Sequence, residues 1–386
     1  MAWEKVKFEE LYQFPSKNGF YKAADAHGRG TKIINMGEIF AYEFIGNQNM
    51  QRIDATESEI ERFCVENDDL LFARRSLVES GAGKVSIIRA LDEPTVFESS
   101  IIRVRLNAKK CYPLFYFYWM KSYQGRAAIS SIITGLNVKG IRGSELKELL
   151  VDYPPYQQQK NIALRLRVFD DLIENNQRQI KLLEEAAQRL YKQWFIDLKF
   201  PGHETIKIVD GLPEGWKSGK IGDIAEFKRG KVITKGEVVE GNVPVVAGGL
   251  DPAYYHNASF TESPVITVSG SGANAGFARM YFQKIWASDC SYVDSSATNF
   301  IYFTYSFLKE NKKSLDSLQK GAAQPHVYAK DINALKLNCP PKDLLVKFEK
   351  GVKPLFDKIG KCQNVIEKSK DARNRLLPKL MNNEFI

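Results

Sequence analysis

The sequence predicts an α+β chain made of two copies of one plan: a twisted β-sheet with a few short helices, followed by a long helix. Three observations predict it. The chain matches itself at a shift of 186 residues. Both copies of that match pass through a Pro-Pro step into a helix-like pattern. The stretches before the Pro-Pro steps hold β-branched segments bounded by Gly, Pro or charge.

The self-match carries no gap. At the 186-residue shift Gly135 falls on Gly321, Leu149 on Leu335, and Pro154-Pro155 on Pro340-Pro341. It continues with Asp171 on Asp357, Ile173 on Ile359, Gln177 on Gln363, Ile180 on Ile366, and Arg189-Leu190 on Arg375-Leu376. A weaker match has another offset: the Trp3 segment, with Phe8-Glu9-Glu10-Leu11, resembles the Trp216 segment, with Ile221-Gly222-Asp223-Ile224. These matches divide the chain into 1–153, a helix over 154–200, a linker over 201–212, 213–339, and a second helix over 340–386. Pro201-Gly202 and Gly211-Leu212-Pro213 supply the breakers at the join.

In the sheet regions, residues 85–88, 100–106, 244–247 and 264–268 read as strands. Leu114, Phe117, Tyr118 and Lys121 sit at helical spacing, as do Ile301, Tyr305 and Leu308. Such aromatic stripes fit a core better than a stacking platform. In the first long helix Ile162, Leu166, Phe169, Ile173, Asn176, Ile180, Leu183, Ala187, Leu190 and Trp194 alternate steps of four and three. The shifted stripe is Phe348, Val352, Leu355, Ile359, Cys362, Ile366, Ser369, Arg373, Leu376 and Leu380. It is weaker, and Gly351 and Pro354 are expected to break or kink its start. Each helix could pack only on its own domain. The lack of a breaker from Gln157 to Lys199 favours an antiparallel pairing of the two, which fits a pseudo-twofold repeat.

Composition narrows the function. The net charge is +9 over 386 residues, spread as +1 over 1–155, +2 over 156–200, −1 over 201–212, +2 over 213–340 and +5 over 341–386. A basic excess suits a polyanionic partner. No segment is a basic tail, so a nucleic-acid surface must come from local placement of Lys and Arg. No window is apolar enough to span a membrane, and the start at Met1 lacks the apolar core of a signal peptide. The scattered Cys64, Cys111, Cys290, Cys339 and Cys362 suit reduced thiols in a cytoplasm. The four histidines are far apart, so no metal-ligand spacing is visible.

No motif amounts to a catalytic constellation. Asp152-Tyr153-Pro154-Pro155-Tyr156 lacks the polar residue that amino-methyltransferases place directly before Pro-Pro, and Cys339-Pro340-Pro341-Lys342 lacks it too. A Pro-Pro step that ends a strand and starts a helix accounts for both. Gly270-Ser271-Gly272-Ala273-Asn274-Ala275 fits a dinucleotide fingerprint, but residues 276–282 read as a strand where the fingerprint needs a helix. A Gly-rich hairpin that comes close to another molecule is the better reading.

Two divergent domains, each followed by a similar helix, resemble the specificity (S) subunit of Type I restriction–modification systems. Trp216 with Ile221-Gly222-Asp223, Gly321 with Pro340-Pro341, the closing Arg375-Leu376-Leu377-Pro378-Lys379-Leu380, and Asp68-Asp69-Leu70-Leu71-Phe72-Ala73-Arg74 carry the resemblance. Gln158 stands where the family often has Glu. The resemblance implies that 1–153 and 213–339 are target recognition domains, each reading one half of a bipartite double-stranded DNA sequence. It implies that the helices form an antiparallel coiled coil that spaces the domains and docks two modification (methyltransferase) subunits. Restriction (endonuclease/translocase) subunits would join them. This chain would then be no enzyme and would bind no cofactor, with S-adenosylmethionine, ATP and Mg on the partner subunits. A stand-alone amino-methyltransferase-like enzyme is the alternative; S-adenosylmethionine binding by the isolated chain would separate the two.

Loop chemistry supplies the DNA-contact candidates, because Arg and Lys pair with guanine or phosphate and Asn and Gln with adenine. They are Arg74, Arg75, Ser76, Lys84, Lys139 and Arg142 in the first domain. In the second they are Lys228, Arg229, Lys231, Ser269, Ser271, Asn274, Gln319, Lys320, Gln324 and His326. The partner-facing coiled coil is expected to be held by Ile162, Leu166, Phe169, Ile173, Asn176, Ile180, Leu183, Leu190, Leu355, Ile359, Ile366 and Leu376.

Overall fold

The computed structural model describes residues 3–209, 211–320 and 325–384. The chain forms two compact units: Met1–Leu172 with Lys368–Ile386, and Ile173–Glu367. Each unit thus contains a sheet region and part of both long helices.

In the first unit five strands lie in the order Lys17–Asn18, Ile101–Val104, Leu70–Ala73, Val85–Ile88 and Phe44–Ile45. The central strand Leu70–Ala73 is antiparallel to both neighbours and fully buried. Its side chains alternate between two cores. Leu70 and Phe72 join the cluster that holds the helix Pro113–Lys121, while Leu71 and Ala73 pack with Ile34, Ile39 and Ile88. A strand covered on both faces reads as a continuous apolar run, which is why no alternation shows in its sequence. Residues 113–120 of that helix are all buried. Its aromatic residues keep their polar ends bonded: Trp119 Nε1 donates to Asp152 Oδ2 at 2.9 Å and Tyr116 OH to the Asp152 carbonyl at 3.1 Å.

The second unit repeats this order. Lys228–Arg229, Cys290–Asp294, Val265–Ser269 and Ala278–Tyr281 form its main sheet. Each unit also has a three-stranded sheet whose middle strand is parallel to one neighbour and antiparallel to the other. The middle strands are His27–Ile34 and Val243–Val246. The first unit adds Phe44–Ile45 and the helices Met36–Ala41 and Glu57–Phe63. The Trp-led segments also correspond. Lys5–Lys7 pairs with Leu150–Asp152, and Lys217–Lys220 with Lys336–Cys339, each just before a Pro-Pro step.

The first long helix is Tyr156–Tyr191, continued by a π-helical turn Lys192–Ile196; the second is Lys342–Met381. The expected break at Gly351 and Pro354 does not occur. A proline inside a helix costs about 3 kcal/mol. Buried Phe348, Val352, Phe356 and Ile359 hold the helix through it, and a Cβ at Gly351 would meet only Leu190 Cδ2 at 4.0 Å. No residue of either heptad stripe is exposed.

Within each unit the helix segments run antiparallel. In the first, Gln158 donates to Asn383 Oδ1 at 2.9 Å and Asp170 meets Arg373. In the second, the Trp194 and Phe348 rings lie 5.7 Å apart, and Gln179 faces Cys362. The charged stripe position Arg373 is neutralised by Asp170 and, at 2.9 Å, by Glu43, which also pairs with Lys121 at 2.5 Å.

Candidate nucleic-acid interface

In both units the central strand ends in the same hydrogen-bonded corner. In the first, Arg74 N donates to the Ser100 carbonyl at 2.8 Å and the Arg74 carbonyl accepts from Ile141 N at 3.0 Å. In the second, Gly270 N donates to the Asp289 carbonyl at 3.2 Å and the Gly270 carbonyl accepts from Val327 N at 3.0 Å. A reciprocal pair of backbone hydrogen bonds flanks each corner. Thr134 and Gly140 exchange backbone hydrogen bonds at 2.9 Å, as do Lys320 and His326 at 2.9 and 2.8 Å. Residues 134, 140 and 141 lie 186 positions before 320, 326 and 327. The chain beyond each corner turns back through a short 3-10 turn, Glu79–Gly81 or Gly272–Asn274. Gly272 and Gly276 hold φ of +76° and +84°, a backbone conformation that disfavours other residues. The dinucleotide-like run is therefore a hairpin turn, and the strand Ala278–Tyr281 follows it.

The first-unit candidates gather at this corner. Arg75 and Ser76 pair with Gly140 and Lys139. Arg75 is exposed, and neither it nor Lys139 forms an ion pair among the described residues. Arg142 is exposed and stands 4.0 Å from Glu145. Two candidates turn inward. Arg74 Nη1 donates to the Ser99 carbonyl at 3.4 Å. Lys84 Nζ donates to the Phe40 carbonyl at 2.7 Å, and burial lowers its pKa.

In the second unit Lys228–Arg229 is an edge strand, opposite Tyr292 and Ser291. Both cations are exposed and without an ion pair among the described residues. Lys231 Nζ stands 4.8 Å over the Phe260 ring. Ser291 adjoins Cys290, the partner of Ser269, so these cations lie beside the corner. Other candidates serve the corner's own structure. Ser269 is buried and donates to the Gly248 carbonyl at 3.0 Å, while Ser271 donates to Asp289. The Asn274 carbonyl accepts from Phe277 N at 2.9 Å. Gln319 Nε2 donates to the Ala275 carbonyl at 2.9 Å, and Lys320 pairs with Asp331 at 2.8 Å. The His326 ring stacks beside Tyr328. Gln324 lies outside the described residues.

Topology adds residues that loop chemistry missed. Gly19 N bonds to the Ile101 carbonyl at 3.2 Å, as Gly230 N bonds to the Cys290 carbonyl at 2.8 Å. Lys17-Asn18-Gly19 is thus the first unit's version of Lys228-Arg229-Gly230. The Trp3–Trp216 match, moved by two residues, pointed there. Lys17 is partly spent, with Nζ on the Arg62 carbonyl at 3.3 Å. Exposed Leu77, Val78, Leu136 and Val138 were also missed.

Among the described residues there is no metal-binding cluster of His, Cys, Asp or Glu, and no helix long and apolar enough to cross a membrane.

Cations gathered at a repeated loop corner of a duplicated sheet domain are chemically suited to a polyanion. The family model described as the Type I restriction modification DNA specificity domain matches residues 2–185 and 213–360, and the chain belongs to that family. The chain is 30% identical over 299 residues to the specificity subunit of the Type I restriction enzyme MjaIX of Methanocaldococcus jannaschii, which covers 70% of this chain and 68% of that relative. It is 25% identical over 208 residues to the EcoKI specificity subunit of Escherichia coli, covering 50% and 44%. In fold it is similar to the Type I restriction–modification S subunit from M. genitalium, with a TM-score of 0.58, 21% identity, and 98% and 96% of the two chains covered.

Proposed function

We propose that this chain is the non-catalytic DNA-reading subunit of a Type I restriction–modification complex of the cytoplasm. Each unit reads one half of a bipartite duplex target through its corner. The long helices dock two methyltransferase subunits, and restriction subunits join that assembly. S-adenosylmethionine, ATP and Mg belong to those partners. The observation that carries the reading is the twice-built corner with cations beside it, in a chain of a DNA-specificity family. In this reading Arg75 and Lys139 beside one corner, and Lys228 and Arg229 beside the other, contact phosphates or guanine edges. The family model matches residues in both units, which supports one half-site for each corner.

The first long helix has 36 residues, about 54 Å of helix at ~1.5 Å per residue. If it is the ruler, four residues inserted after Asn176 add about 6 Å, close to two base pairs at ~3.4 Å. Four residues make slightly more than a turn, so the buried stripe is nearly restored. Methylation mapping of a host expressing the variant with its cognate methyltransferase is expected to show both half-sites kept and the gap longer by one or two base pairs. An active variant with an unchanged gap means that this helix is not the ruler.

A further inference from the structure

The hairpin at residues 134–140 presents apolar side chains at its tip. Gly135 has φ +103°, and a Cβ there would lie 2.1 Å from the Val138 carbonyl oxygen, so the turn requires glycine at 135 and leaves Leu136 94% exposed. The same hairpin pairs with Arg75–Ser76, and the chain runs on from there into Leu77 and Val78, which are 84% and 60% exposed. One exposed leucine is ordinary. A group on two hydrogen-bonded neighbours is a patch that calls for an occupant, and the tip position 136 would be as well served by Asn or Asp. Cations stand on the same two segments: Arg75, Lys139 and, just beyond, Arg142. Glu79 is the only acidic side chain of residues 74–84, and residues 134–142 have none. An apolar tip among cations matches a duplex, with phosphates outside and a base stack within.

We infer that Leu136 and Leu77 form a wedge that enters a base step of the first half-site while Arg75 and Lys139 hold the flanking phosphates. This rests on the DNA-reading function proposed above. In the second unit the sequence aligned with residues 135–138 is Gly321-Ala322-Ala323-Gln324, which lies outside the described residues and has only small or polar side chains. Wedge insertion is therefore confined to one half-site.

The test uses the full chain assembled with its cognate methyltransferase subunits, on a target found by methylation mapping. 2-Aminopurine is placed at successive positions through each half-site. Away from the methylated bases, which a methyltransferase itself extrudes, binding is expected to raise its fluorescence at one step of the first half-site and nowhere in the second. The double variant Leu77→Ser/Leu136→Ser should lose that rise and bind the target roughly ten-fold or more weakly, a loss of the size that one apolar wedge supplies. Both side chains are exposed, so folding is unaffected. A wild-type complex that methylates its target with no rise, or a double variant that keeps the rise, overturns the wedge alone. A double variant that no longer assembles with the methyltransferase in the absence of DNA assigns the patch to a protein partner and overturns it too. A wild-type complex that methylates no bipartite sequence overturns the DNA-reading function and the wedge with it.

Discussion

The first and second units share a strand order but meet their long helices with different chemistry. Residues 170 and 356 are repeat mates. In the first unit Asp170 accepts from Tyr118 OH and pairs with Arg373, inside an ionic group completed by Glu43 and Lys121. In the second Phe356 stacks on Tyr302 with ring centroids 4.5 Å apart. Tyr118 on the helix Pro113–Lys121 and Tyr302 on the helix Ile301–Glu310 each meet a long helix. Backbone pairing thus carries the common plan, and the side chains that fill it are free to differ.

The largest expected effects break this contrast directly. Asp170→Ala leaves Arg373 and Lys121 short of anions in a buried place, and should destabilise the first unit by about 3–5 kcal/mol. Phe356→Ala should cost the second unit a similar ~3–5 kcal/mol through lost packing. Hydrogen exchange read by mass spectrometry assigns each loss to its unit. If Asp170→Ala leaves protection in the first unit unchanged, the ionic group is ornamental.

A smaller effect separates the units by pH. Burial raises the Glu43 pKa, but Lys121 and Arg373 outweigh it and hold the carboxyl below its ordinary value. A lowered carboxylate pKa gives stability that is present above the unfolded value and lost as pH falls. Burial pushes Glu349 up to about 7, against hydrogen bonds from the Phe303 and Tyr302 backbone. A raised carboxylate pKa does the reverse: its stability is full below about 4.5 and lost as pH rises through 7. Acid should therefore loosen the first unit, and a pH above neutral the second. Glu349→Gln should flatten the second unit's profile and stabilise it at pH 8 by up to about 3 kcal/mol, the ~1.4 kcal/mol per unit of a carboxyl raised from 4.5 to about 7. Equal pH profiles of exchange in both units would contradict this.

The smallest effects concern single cations. Arg75→Ala and Lys228→Ala should each weaken DNA binding by the assembled complex. A phosphate contact flattens the salt slope by about one unit; a base contact relaxes one position of one half-site by ~1–3 kcal/mol. Unchanged affinity in both removes these two side chains from the interface.

The helices and Pro-Pro steps were legible because repeat and heptad period are local signals. The strands at Val85–Ile88 and Val265–Ser269 were legible from β-branching. The common sheet order was not, because a strand buried on both faces, such as Leu70–Ala73, has no period to read. The continuity of the second helix through Pro354 was missed because tertiary packing overrides a local breaker. At the corners, residue type named Arg75 and Lys228 but could not show that Lys84, Ser269 and Gln319 bond inward. Lys17-Asn18 went unseen because the Trp3–Trp216 match runs two residues out of register there, and only strand pairing fixes the equivalence to Lys228-Arg229.

The most direct test of two independent readers is replacement of residues 1–150 by the corresponding domain of another specificity chain. The chimera is expressed with its cognate methyltransferase and its sites are mapped across the genome. One half-site should change and the other should stay as it was. A change in both, or in neither, contradicts the account.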